Sequence, residues 1–229
     1  MLYDITPPIT PTLAVWPGDT PPSREVLLDI SRGDNITLST LRATAHLGAH
    51  ADGPNHYAKN APAIHERALD YYLGSCQVIR IDTARATRIT TKMFLDVAGR
   101  VFDAAVVSLE SPAVGPIDFT SRVLFATGTY PSSQKWSSDF AALSAELIDF
   151  LHDRGVITVG IDTPSIDLPD SKDLPAHKAV LRHDMAILEG LVLKDVPEGT
   201  YELIALPLPL VGFDASPVRA VLRTIKSDK

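Results

Sequence analysis

The sequence predicts an α/β protein, because strand-like segments outnumber helical ones and prolines occur throughout the chain. Most strand-like segments are rich in β-branched residues and are bounded by Gly, Pro, Asp or Ser. The chain contains 18 prolines, more than a helical bundle would tolerate, since proline breaks helix interiors. We find no internal repeat, low-complexity tract or linker, so residues 1–229 are predicted to form a single domain.

Apolar segments of strand length recur from one end of the chain to the other. They end at turn-forming residues, as strands in globular proteins commonly do. One of them, at residues 185–193, contains a single charged residue, Glu189. The predicted strands cover residues 24–30, 36–41, 76–81, 104–109, 123–127, 156–161, 185–193 and 201–206.

The clearest predicted helix begins at Ser144 and ends at Gly155. Ser144 can cap the first turn, and Gly155 can stop the helix in a left-handed conformation. Leu147, Ile148 and Leu151 share one face of this helix. Shorter helices are predicted at residues 66–73, 92–98 and 217–224.

Charge and composition disfavour two classes of partner. The chain carries 21 basic and 28 acidic side chains, a net charge of −7, which does not favour binding to a nucleic-acid phosphate backbone. We find neither a signal-peptide pattern nor an apolar run of the roughly 20 residues needed to cross a bilayer. The one cysteine, Cys76, cannot form an internal disulfide. These features predict a cytoplasmic protein that binds neither nucleic acid nor membrane.

Three histidines and an aspartate lie within eleven residues, at His46, His50, Asp52 and His56. Imidazole and carboxylate are the ligands that zinc, manganese and iron prefer. On a straight strand, His46 and His50 would lie about 13 Å apart, too far to share an ion. On a helix, Asp52 would point away from both. Because two glycines and a proline interrupt the segment, we predict that the cluster lies on a turning loop.

A second group of candidate ligands lies between residues 177 and 189. Glu189 is the one charged residue in an apolar predicted strand, where a carboxylate is costly unless it is paired or binds a metal. His177 and His183 precede it. Neither histidine would share a helix face with Glu189, so spacing alone leaves the choice between them open.

The pattern His46-x-Gly-x-His-x-Asp-x-Pro-x-His56 resembles the signature of the cyclase-type metal hydrolases. Within that family the chain most resembles the bacterial kynurenine formamidases (arylformamidases). It departs from the broader signature at Leu47 and Ala49, and neither position is a candidate ligand. The resemblance continues through Val15-Trp-Pro-Gly-Asp-Thr-Pro, Gly160-Ile-Asp-Thr-Pro-Ser, His183-Asp-Met-Ala-Ile-Leu-Glu-Gly-Leu and Asp214-Ala-Ser-Pro-Val-Arg.

The resemblance implies a swivelling β/β/α fold, with a mixed sheet curled toward a barrel and flanked by short helices. It also implies a site for two Zn²⁺ ions per subunit, with Mn²⁺ or another divalent ion as alternatives. His46 and His50 would bind one ion, and Asp52 would bridge both. His177 and Glu189 would hold the second ion.

The activity implied by the resemblance is hydrolysis of N-formyl-L-kynurenine to L-kynurenine and formate, a step of tryptophan degradation, with a metal-bound hydroxide as nucleophile. His56 would serve as the acid/base residue. Trp16 would contact the aryl ring, although a partly buried core indole explains Trp16 equally well. The resemblance also implies a homodimer or larger oligomer, with pocket residues contributed across the subunit interface.

Two alternatives remain open from the sequence. The first keeps the chemistry and changes the substrate, as in an isatin hydrolase that opens a cyclic amide. The second is a non-catalytic protein that uses the metal only for structure. A structural zinc normally has all four positions filled by protein, whereas the ligands expected here leave positions free, which favours an enzyme.

Overall fold

The computed structural model describes residues 1–101 and 120–225, in which short strands alternate with a few helices. The helices are α1 (Thr91–Val101), α2 (Ala145–His152) and α3 (Pro175–Arg182). The strands are β1 (Leu2–Asp4), β2 (Ser23–Leu28), β3 (Leu38–Arg42), β4 (His50–Asp52), β5 (Leu73–Arg80), β6 (Arg88–Ile89), β7 (Arg122–Ala126), β8 (Ala142–Leu143), β9 (Thr158–Ile161), β10 (Ala186–Glu189), β11 (Gly199–Ile204), β12 (Ala215–Pro217) and β13 (Val221–Thr224).

Nine of the described strands form one mixed sheet. Their order is β1-β13-β11-β5-β7-β9-β10-β4-β12. The four central strands, β5, β7, β9 and β10, run parallel, and the pairs on either side of them are antiparallel. Strands β2 and β3 form a separate hairpin, and β6 pairs with β8. This curled mixed sheet with few helices confirms the predicted fold class.

The core has two layers, one on each face of the central strands. Successive side chains of a strand point to opposite faces. Accordingly, Leu124 and Leu188 lie in one buried cluster, while Phe125 and Ile187 lie in the other. The second cluster also contains the apolar faces of α1, α2 and α3, so these helices cover one face of the sheet. Burial on both faces explains why the central strands are continuous apolar runs.

Most of the predicted strands are confirmed by strands that overlap them, and two of the four predicted helices are confirmed. Helix α2 begins where the sequence predicts, and the Ser144 hydroxyl accepts a hydrogen bond from the Leu147 amide. Gly155 follows the helix with a φ of +83°. Helix α1 contains the predicted helix at residues 92–98. The predicted strand at residues 104–109 lies outside the described residues.

The other two helix predictions are wrong. Residues 217–224 contain the end of β12 and all of β13, which are held by antiparallel pairing with β4 and β11. Residues 66–73 contain the short 3-10 turn Leu69–Tyr71 and then the start of β5. In residues 217–224, pairing with strands that are distant in the sequence overrides the local helical pattern.

None of the helices in residues 1–101 and 120–225 has both the length and the apolar composition required to cross a bilayer.

Candidate metal centre

A pair of short strands brings His50, Asp52 and Glu189 together. Strand β4 lies between β10 and β12, and its register places His50 opposite Glu189. Because side chains alternate along a strand, His50 and Asp52 project from the same face. The Nε2 atom of His50 lies 3.3 Å from Glu189 Oε2 and 3.5 Å from Asp52 Oδ1. All three side chains are buried.

Gly48 turns the chain between His46 and His50. Its φ of +59° lies in the left-handed region that favours glycine. A Cβ on Gly190, at the end of β10, would overlap the Gly48 carbonyl, so the two segments approach as only glycine allows. The turn places His46 Nδ1 3.2 Å from Asp52 Oδ1. The predicted turning loop is therefore confirmed at Gly48, but it is wrong for residues 50–52, which form a strand.

His177 reaches the same carboxylates from the first turn of α3. Its Nε2 atom lies 3.6 Å from both Asp52 Oδ2 and Glu189 Oε1. Its Nδ1–H donates to Asp167 Oδ2 over 2.9 Å, which fixes the tautomer and aims Nε2 at the centre. Asp167 is itself held by Arg88, whose guanidinium lies 2.6 Å from Oδ1.

His56 ends the 3-10 turn Pro54–His56 and lies beside His46, with ring centroids 4.3 Å apart. Ligand atoms of His46, Asp52 and His56 all lie within 4.8 Å of one another, as do those of His50, Asp52 and Glu189. Asp52 belongs to both groups. The structure thus brings together all the predicted ligands and His56, and it places His56 as near to Asp52 as a ligand would be.

His183, the histidine that spacing could not separate from His177, lies elsewhere. Its Nε2–H donates to Asp149 on α2, and its ring stacks on that of His152 with centroids 3.9 Å apart.

The unpartnered atoms of the cluster match a bound cation. Neither oxygen of the buried Asp52 carboxylate, nor Nε2 of His50, has a well-oriented hydrogen-bond partner among the described residues. Buried polar atoms are nearly always hydrogen-bonded, and a buried charge requires compensation. His50 Nδ1–H donates to the Gly48 carbonyl over 2.9 Å, so Nε2 carries the lone pair. The arrangement of lone pairs around Asp52 fits a divalent metal ion.

The chain matches the model of a known protein family. The model of the Cyclase family, described as "Putative cyclase", matches residues 3–168. The chain belongs to the cyclase family.

Solved structures of similar fold cover almost the whole of this cyclase-family chain. One, described as a potential metal-dependent hydrolase with cyclase activity, is 27% identical, with a TM-score of 0.75 over 97% of this chain and 96% of the other. A second, described as a predicted metal-dependent hydrolase from Bacillus stearothermophilus, is 28% identical, with a TM-score of 0.73 over 97% of both chains. An isatin hydrolase bound to thioisatinate is 16% identical, with a TM-score of 0.78 over 98% of this chain and 92% of the other, and shows the fold alone.

Two imidazoles of the cluster, those of His46 and His177, have raised pKa values. Burial opposes protonation of His46, but the carboxylates of Asp52 and Asp214 outweigh it and raise its pKa to about 9. Burial likewise opposes protonation of His177, but Asp167 and Asp52 raise its pKa to about 10. Burial favours the neutral form of Asp52, yet the imidazoles of His177 and His46 hold its pKa well below its usual range.

A cavity of about 880 Å³ opens onto the cluster. It is lined on one side by His46, His50, His56, His177 and Glu189. Aromatic rings and a proline-rich loop line the rest of it, so the cavity combines a polar floor with apolar walls, as small-molecule sites commonly do.

Trp16 lies in the wall of this cavity, and its exposed fraction is 40%. Its ring makes an edge contact with Trp136, with centroids 4.9 Å apart, and Tyr130 lies 6.3 Å from Trp136. Trp16 is therefore not a core indole, and contact with a substrate stays a prediction.

Four residues that contact the histidines or line the cavity are absent from the sequence-based assignment. Asp167 follows β9, and its position in a loop after a strand was the available signal. Asp214 lies in a segment that contributes only to the family resemblance. Trp136 and Tyr130 lie in a loop without strand or helix periodicity, so no pattern in the sequence connects them to Trp16.

Binding of a divalent cation is expected to release protons at pH 8. His46 and His177 are protonated there in the metal-free protein, because their pKa values are about 9 and 10, and a cation must displace those protons. Both pKa values are raised, so the stabilisation of the metal-free fold by these charges is complete below the usual pKa of 6.5. It is lost as the pH rises through 9 and 10, while metal affinity increases.

Calorimetric titration of the metal-free protein with Zn²⁺, in two buffers of different ionisation enthalpy, measures the protons released. Equal heats in both buffers at pH 8 would contradict the assignment of His46 and His177 as protonated ligands.

Proposed function

We propose that this cyclase-family protein is a metal-dependent hydrolase of aryl formamides, with N-formyl-L-kynurenine as substrate and L-kynurenine and formate as products. The observation that carries the proposal is the buried Asp52 carboxylate, which has no hydrogen-bond partner among the described residues and lies among imidazoles that line a large cavity. The two neighbours that are 27% and 28% identical support the hydrolase class through their descriptions as metal-dependent hydrolases.

The walls of the cavity support an aromatic substrate. Trp16, Trp136 and Tyr130 line it, and Trp136 makes edge contacts with the other two, so a planar ring could bind against these aromatic side chains. The formyl group of an aryl formamide bound in this way would point toward the histidines at the floor. N-formylkynurenine combines these two parts, an aryl ring and a formamide.

The proposed reaction breaks the C–N bond of the formamide and forms a C–O bond with water. Divalent cations at such a site activate water and polarise a carbonyl oxygen. Asp52, Glu189 and the imidazoles of His46, His50 and His177 would hold two of them, Zn²⁺ in this proposal.

His56 is proposed as the acid/base residue because it lines the cavity beside the cluster. An imidazole can accept a proton from the attacking water and return it to the departing arylamine. The amine nitrogen is a poor leaving group until it is protonated. The ligand-like distance between His56 and Asp52 makes metal binding by His56 the competing role.

A second candidate activity is hydrolysis of isatin, a cyclic aryl amide. An isatin hydrolase shares the fold, and an aromatic cavity would accept either molecule. A purely structural role for the metal is disfavoured, because the candidate ligands line an open cavity. In a structural site, protein side chains normally fill every coordination position.

We also propose that the protein is cytoplasmic and forms a homodimer or larger oligomer. The hairpin of β2 and β3 supports the latter, because Leu27, Leu38 and Leu41 are exposed on it and two strands alone are marginally stable. Light scattering of the purified protein measures the oligomer size, and a monomer at all concentrations would contradict it.

The substrate is tested by assaying the metal-loaded protein on N-formyl-L-kynurenine and on isatin side by side. We expect the larger kcat/KM with N-formylkynurenine, detected as release of the arylamine and formate. A larger kcat/KM with isatin would replace the proposed substrate while keeping the hydrolase class, and no turnover of any aryl amide would contradict the hydrolase proposal.

Replacing His56 by alanine is expected to keep the metal and lower turnover by roughly 10²–10⁴-fold, the usual contribution of a general acid/base group. Metal content is measured by mass spectrometry and kcat is measured on the same samples. Together they distinguish an acid/base role of His56 from a role as metal ligand. His152→Ala, which removes a partly exposed imidazole on α2, is the matched control and should change neither quantity. Loss of metal in His56→Ala would assign His56 as a ligand and remove it from the proposed acid/base role.

A further inference from the structure

Asp214 contacts two imidazoles of the site through one oxygen atom. Its Oδ2 lies 3.1 Å from His46 Nε2 and 3.4 Å from His56 Nδ1. A carboxylate can only accept hydrogen bonds, so both rings donate to it. Asp214 is not among the described residues that line the cavity, although both of its histidine partners are. Asp214 is therefore linked to the site through these two rings.

The backbone holds Asp214 in place at the start of β12. Its carbonyl accepts the Gly53 amide over 2.7 Å, and the carbonyl of Phe213 accepts the Ile64 amide over 3.0 Å. The next residue, Ala215, pairs with Asp52 across β4 and β12. The sheet register that positions the central carboxylate thus also positions Asp214.

Each histidine that faces Asp52 has its other ring nitrogen held by an acceptor. His50 and His177 present Nε2, because the Gly48 carbonyl and Asp167 accept from their Nδ1–H groups. His46 presents the opposite atom: its Nδ1 lies toward Asp52, and its Nε2–H donates to Asp214. Asp214 is the one acceptor for Nε2 of His46 among residues 1–101 and 120–225, and without it the ring could rotate or change tautomer.

The same logic applies to His56. When Nδ1–H of His56 donates to Asp214, Nε2 becomes the basic nitrogen of the neutral ring. A proton transferred to His56 would then be received at Nε2, and the resulting imidazolium would be stabilised by the carboxylate behind it.

We propose that Asp214 is a positioning residue that selects the nitrogen presented by both His46 and His56, so that one carboxylate prepares a metal ligand and the proton-transfer residue together. The part concerning His46 depends only on metal binding. The part concerning His56 rests on the proposed function.

The experiment compares the intact protein with Asp214→Asn, Asp214→Glu and the control Asp139→Asn. Asp139 is a suitable control because its side chain has the same exposed fraction as that of Asp214, 48%, but pairs with Arg85 and not with a histidine. Each variant is made metal-free and titrated with Co²⁺, followed by its visible absorption and by competition with a chelator.

We expect Asp214→Asn to bind at least one Co²⁺ ion roughly 10–100-fold more weakly, the usual effect of losing a carboxylate behind a ligating histidine. Its Co²⁺ spectrum should change, because the orientation of His46 changes. Asp214→Glu, which keeps the charge, should recover most of the affinity, and Asp139→Asn should match the parent protein. These readouts need no substrate, so failure of the formamidase assay would leave them informative.

Turnover gives the second readout. In Co²⁺-saturated Asp214→Asn, kcat should fall more than KM rises, and the pH dependence of kcat should shift, as expected when the proton acceptor loses its partner. Unchanged Co²⁺ affinity and spectrum in Asp214→Asn would overturn the proposal for His46, and an unchanged kcat and pH profile would overturn it for His56. An Asp214→Glu variant as weak as Asp214→Asn would also contradict the role of the carboxylate.

Discussion

The carboxylate of Asp52 carries its charge in the protein interior, where an uncompensated ion is strongly disfavoured. Imidazole nitrogens lie 3.2–3.6 Å from its two oxygens, yet neither oxygen has a well-oriented hydrogen bond from a described residue. The surrounding imidazoles therefore lie where ligands of a cation shared with Asp52 would lie. In the metal-free protein, protons on His46 and His177 supply the compensating charge. A divalent cation would displace those protons and would supply the positive charge beside Asp52 in their place.

Strand pairing in the curled sheet fixes the positions of the candidate ligands. Strand β4 has only three residues, but pairing with β10 and β12 on its two sides fixes its register completely. That register sets Glu189 beside His50 and places Asp214 at the start of the neighbouring strand. Glycines at positions 48 and 190 allow the two backbones to approach. The imidazole of His177 comes from helix α3, and Asp167, in the loop between β9 and α3, accepts hydrogen bonds from its backbone amide and its ring.

The candidate ligands that the structure brings together could be named from the sequence, because ligand residue types are concentrated in one short segment and Glu189 stands out in an apolar strand. The strands of the buried centre and helix α2 could be predicted because their patterns are strong and local. The wrong helix at residues 217–224 and the unanticipated strand β4 share one cause. Both are short segments whose structure is decided by pairing with distant strands, and a local pattern contains no information on that pairing. The same limit applies to Asp214 and Trp136, which reach the site only through the fold.

The central claim is that this cluster binds divalent cations through Asp52, and metal uptake measures it most directly. Metal-free protein and its Asp52→Asn variant would be dialysed against Zn²⁺ and against Mn²⁺, then analysed for bound metal and for Tm. The parent protein should retain metal and unfold at a higher temperature, because a ligand that binds only the folded state stabilises it. The variant should retain less metal and show a smaller increase in Tm. A folded parent protein that retains neither ion and has an unchanged Tm would contradict the claim.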